Sequence, residues 1–114
     1  MRKGAQVPQP TTEVVRLMIH DDSASGVYLF GFASLQDGEN LWDEWYETVA
    51  DAESMVQQKY SVAPSDWYPL PDVVEHCQQN WIAPVRIKGQ AEGNPQWGSR
   101  EKLVDGRWVD FRPE

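Results

Sequence analysis

From Leu41 to Tyr60 the chain reads LWDEWYETVADAESMVQQKY, and within that one stretch a strand pattern hands over to a helix. Over Leu41 to Glu47 the side chains alternate, Trp42, Glu44 and Tyr46 to one side and Leu41, Asp43, Trp45 and Glu47 to the other. Aromatic stems packed beside wet carboxylates suit a strand at the edge of a sheet. Thr48 then reads as a helix N-cap with Asp51 at the third helical position, an acidic form of the capping box. Asp51 and Glu53 also lie where the helix dipole favours negative charge. Val49, Ala52, Val56 and Tyr60, with Met55 beside them, make one apolar stripe. A helix with such a stripe, entered directly from a strand, buries it on a sheet, so the chain is committed to a mixed α+β architecture.

The remaining segments fill in that plan. Residues 1–12 hold Gly4, Pro8, Pro10 and a threonine pair with little to bury, which predicts a flexible N-terminal arm ahead of a single domain over 13–112. Glu13 to His20 alternates Val15, Leu17 and Ile19 against Val14, Arg16, Met18 and His20, a half-buried strand. Val27 to Ala33 is apolar on both faces and is expected at the sheet centre, and Asp37-Gly38 is expected to form a tight turn. Pro64 and Pro69 end the helix, and Pro71 suits the start of a short second helix through Gln79, burying Val73, Val74 and Cys77. Trp81 to Lys88 reads as an edge strand, or one whose pairing begins after Pro84. Asp105-Gly106 marks a terminal hairpin between Lys102–Val104 and Arg107–Phe111. The expected fold is α+β: a mostly antiparallel twisted sheet of four or five strands, one main helix packed on one face, and a second short helix.

Charge narrows the function. The 114 residues carry 10 Lys and Arg against 18 Asp and Glu, a formal net charge of -8, which repels nucleic-acid phosphates and anionic membrane surfaces. No apolar window reaches the length of a membrane span, and nothing resembles a signal peptide. Cys77 is the only cysteine, so no internal disulfide forms, which favours a cytoplasmic setting.

Catalytic chemistry finds little support. His76 adjoins Cys77, but neighbouring helical residues point about 100° apart and cannot form a nucleophile-base pair. Cys77 reads as a small buried hydrophobe. His20, Asp21 and Asp22 are contiguous, which suits a turn better than a coordination shell, and Asp43 and Glu47 are separated from Glu44 by strand alternation. No catalytic residue, metal or cofactor is assigned.

Six tryptophans are the surplus to explain. Trp45, Trp81 and Trp108 fall in strand patterns and read as packing. Trp67 and Trp97 fall in loops, beside Tyr68 and beside Asn94 and Pro95, where packing demands less of them. Trp67, Tyr68 and Trp97, with Asp66 and Glu92 nearby in sequence, are therefore the candidate binding residues: an aromatic patch with an acidic rim, facing a protein partner with a basic surface. The competing reading makes the loop tryptophans lids over the core. The leading function is a small acidic protein-interaction domain, inhibitory toward a basic partner. In size and charge alone the chain resembles the acidic immunity-type proteins of bacteria. One alternative is an enzyme or small-ligand binder with a cleft under the Gly89–Arg100 loop, using His20 or His76 as acid-base group. Another is a homodimer paired through the Trp81–Lys88 edge.

Overall fold

The computed structural model describes residues 1–111, so Arg112, the last residue of the expected domain, lies outside the described part. Among the described residues eight strands form two antiparallel sheets. The larger holds β1 (Arg2–Gln6), β2 (Arg16–Asp22), β3 (Gly26–Phe32), β4 (Trp42–Tyr46) and β5 (Tyr68–Leu70), in the order β4-β3-β2-β1-β5. The smaller holds β6 (Val85–Ile87), β7 (Arg100–Val104) and β8 (Arg107–Phe111), in that order. The one α-helix among the described residues, α1 (Val49–Tyr60), lies between β4 and β5 in sequence, and a 3-10 turn follows at Pro64–Asp66.

The helix forms as its sequence requires. Thr48 accepts the Asp51 amide at 3.1 Å, and Ser61 closes the other end in the left-handed region, its N–H donating to Gln57. Ala52, Val56 and Tyr60 are buried against Ala5, Leu17, Ile19, Val27 and Leu29 of the sheet. This is the main core. Trp42 stacks on Tyr60 at 6.4 Å and closes its margin.

The opposite sheet face is buried as well. Met18, Phe30 and Phe32 form a second cluster there, so β2 is apolar on both sides rather than half-buried. Both central strands thus read as apolar runs, as strands covered on two faces do. Tyr28 and Leu70 pack against that cluster, and the chain from Pro71 to Ile82 is tied to the sheet by Arg2. That guanidinium, only 3% exposed, donates to the carbonyls of Pro71 (2.8 Å), Gln79 (3.1 Å), Trp81 and Ile82 (3.2 Å). Asp37 adds a second tie, its carboxylate accepting the amides of Ile82 at 2.8 Å and Ala83 at 2.7 Å.

Three expectations are corrected by these contacts. Residues 2–6 are not part of an arm: they form β1, paired on both sides, with Ala5 fully buried. Its middle residue is glycine because the Tyr68 ring lies over Gly4, where an added Cβ would stand 3.0 Å from it. Residues 71–79 form no second helix. The Pro71 and Gln79 carbonyls are held by Arg2, and His76 adopts a positive φ of 66°. Asp37-Gly38 makes no tight turn either, since the Asp37 carboxylate faces the 82–83 amides across the fold. The expected terminal hairpin is present, Asp105 and Gly106 both at positive φ (50° and 79°) between β7 and β8. Pairing of β6 begins after Pro84, at Val85 against Lys102.

Candidate interaction surface

The six tryptophans divide by what their rings touch. Trp81 is 3% exposed, meets Phe111 edge-on at 5.2 Å, and buries its Nε1 donor without a partner among the described residues. Trp42 and Trp67 are half-buried on the helix-side core. Trp108 lies under the Arg86 guanidinium at 3.7 Å, and Arg86 in turn pairs with Glu101 at 2.9 Å. Two rings remain in the open: Trp97 at 73% and Trp45 at 53% exposure.

Trp97 stands on a fixed support. The loop between β6 and β7 is closed by backbone bonds from Lys88 to Ser99 (3.0 Å), Gln96 to Lys88 (2.8 Å) and Asn94 to Gly89 (2.9 Å). Within it, the Ser99 N–H donates to the Gln96 carbonyl at 3.0 Å, a four-residue turn with Trp97 and Gly98 at its centre. Gly98 has φ 89°, the sign that a type II turn requires there. The indole is therefore presented outward from a turn whose backbone is hydrogen-bonded in place, so the backbone ordering cost on binding is small.

The residues proposed from sequence fall in two groups on different sheets. Asp66 accepts the Ala63 amide at 2.8 Å and closes the 3-10 turn. Trp67 packs on the core with Lys3 Nζ 5.5 Å from its ring, which is the lid arrangement. Tyr68 is in β5, 42% exposed, its ring spread over Gly4. Trp97 and Glu92 belong to the β6–β7 loop, where exposed Glu92 lines a concavity of about 350 Å³ with Arg86, Lys88, Asn94, Gln96 and Glu101.

That concavity is the cleft expected under the loop, and neither histidine lines it. His20 Nδ1 is 2.6 Å from the Gln79 side-chain oxygen, and His76 Nε2 lies 3.5 Å from Glu75. Its cations are already matched, Arg86 by Glu101 and Lys88 by Asp110 at 2.8 Å, a hydrogen bond that raises the Lys88 pKa. Burial pushes the Cys77 thiol up despite Arg86 and Arg2, so the thiolate a nucleophile needs is disfavoured. Among the described residues no group of three His, Cys, Asp or Glu side chains could hold a metal, and no helix is long and apolar enough to cross a membrane.

A second exposed surface was not singled out from sequence. Trp45 lies on β4, at the rim of the larger sheet; its Nε1 donates to the Ser25 carbonyl at 2.7 Å, and its ring covers Gly26. Exposed Leu41, Asp43, Glu44 and Glu47 accompany it. Tyr46 donates its hydroxyl to Glu44 at 2.8 Å, and burial together with that bond pushes its pKa up to about 12. The signal lay in the charge order: from Leu17 to Gln58 there is no lysine or arginine, while nine of the 18 acids fall there.

Over the described residues the chain is thus an α+β domain of two antiparallel sheets with one α-helix, bearing two exposed indoles, one on a hydrogen-bonded turn and one bonded to Ser25. No family model, no curated protein and no solved structure matches it.

Proposed function

We propose that the protein is an acidic interaction domain, acting in the cytoplasm, that binds and neutralises a basic protein. The observation that carries this reading is Trp97, a large apolar ring 73% exposed on a turn whose backbone is hydrogen-bonded in place. An indole in that position adds little to folding, whereas tryptophan on a fixed support is the commonest kind of binding hot spot. The net charge of -8 sets the sign of the partner and accelerates its approach. The test is Trp97→Ala, with melting temperature and affinity for the partner captured by the wild-type protein measured on one preparation. The reading requires an unchanged melting temperature and a loss of about 30-fold or more in affinity, equivalent to about 2 kcal/mol. A large fall in melting temperature with affinity intact makes Trp97 a structural lid instead.

A further inference from the structure

Four strands end a sheet here: β4, β5, β6 and β8. An end strand offers unpaired backbone N–H and C=O groups along its outer side, and proteins usually blunt that row. Three of the four are poor templates for a partner of defined charge. β5 has three residues, one of them Pro69 with no N–H to give. β6 is also three residues long, and its Val85 carbonyl already accepts the Gln78 amide at 2.7 Å. β8 carries Arg107 and Asp110, charges of both signs.

β4 differs in each respect. It runs five residues without proline or lysine, and Asp43, Glu44 and Trp45 are all exposed. The Trp45 indole is held over Gly26 by its bond to Ser25, which leaves a ring fixed at the rim. Asp43 and Glu47 share its side of the strand, Glu44 stands exposed on the other, Asp51 lies in the first turn of the helix that follows, and no lysine or arginine intervenes in this part of the sequence.

We infer that the outer edge of β4 receives an extended, lysine- or arginine-bearing segment of another protein as an added strand. The inference rests on the reading of the domain as a protein binder, but it uses a surface separate from the Trp97 turn. In such a complex the backbone row supplies the hydrogen bonds, and alternate side chains of the guest supply the specificity. Cations on one face of the guest fall beside Asp43, on the Trp45 side of β4, where cross-strand pairs of opposite charge are favourable. One cation reaches the Trp45 face, where its charge meets the ring quadrupole. A second copy of this chain is the wrong guest, because pairing β4 with itself sets acid beside acid.

The test uses the whole chain and short capped peptides that alternate arginine and valine. One peptide is unmodified, two are N-methylated on either alternate set of amides, and a fourth has glutamate for arginine. Binding is measured by titration and located by amide NMR shifts. The expected result is binding of the unmodified peptide with shifts centred on Asp43–Tyr46, a loss of about tenfold or more for one methylated set, little loss for the other, and no binding of the glutamate peptide. That asymmetry arises because only alternate amides of an added strand face the sheet. Equal binding of both methylated peptides would overturn strand addition while leaving an acidic docking surface in place. Shifts confined to residues outside β4, or no binding at all, would overturn the site. Trp97→Ala should leave this peptide's affinity unchanged, so a failure at β4 and a failure at the Trp97 turn read out separately.

Discussion

Replacing Arg2 by methionine should release the Pro71–Ile82 segment from the larger sheet. The guanidinium donates to four carbonyls between Pro71 and Ile82, and a bond from a charged donor is worth about 1.5–3 kcal/mol net. The simple sum overstates the effect, since burial also disfavours the charge, as the lowered Arg2 pKa indicates. Methionine removes that desolvation cost but leaves buried carbonyls without donors. A net loss of about 3–5 kcal/mol follows, the range seen when a buried charged network is broken. Against a domain stability of about 5–15 kcal/mol the variant remains measurable by urea unfolding in the cold. Native-state hydrogen exchange should show the Ile82 and Ala83 amides, which donate to the Asp37 carboxylate, exchanging earlier than those of β2 and β3 once the neighbouring carbonyls lose Arg2. A loss under about 1 kcal/mol, with 82–83 protection unchanged, would refute the clamp.

Other outcomes follow from single contacts. Gly31→Ala drives a Cβ to 2.5 Å from the Trp42 ring and should cost about 1–3 kcal/mol by chemical denaturation, with Trp42 fluorescence altered. Trp81→Phe removes a buried donor that has no partner among the described residues, so the lost ring area and the relieved penalty offset, and stability should change by less than about 1.5 kcal/mol. Thr48→Ala deletes the N-cap of α1 and should cost about 1 kcal/mol. Tyr46 has a folded pKa raised to about 12 from an ordinary 10.0, so its protonated form is favoured by folding. Its contribution is fully present below pH 10 and is lost as pH rises toward 12; tyrosinate absorbance should show a late-titrating ring that Tyr46→Phe removes.

What was legible in the sequence was local. The Thr48 cap, the stripe through Ala52, Val56 and Tyr60, the Asp105-Gly106 turn and the edge character of β4 depend on neighbours a few residues away. The missed elements depend on distant ones. β1 hides because Gly4 and Ala5 are small where Tyr68 and the core crowd them, so it shows no large apolar alternation. The 71–79 segment has helix-start chemistry at Pro71, yet Arg2, far away in sequence, claims its carbonyls. Trp67 and Trp97 looked alike as loop residues. Lys3 and the core close over the first, while the Gln96–Ser99 turn holds the second outward, a distinction made only by tertiary contacts.

The most direct test of the central claim is to titrate the captured basic partner into wild-type protein and Trp97→Ala at several salt concentrations. Weaker binding by the variant at every salt, with a salt dependence matching the wild type and identical unfolding curves, is the result required of an indole that binds apart from the charges. Equal affinities, with the variant unfolding earlier, would contradict it.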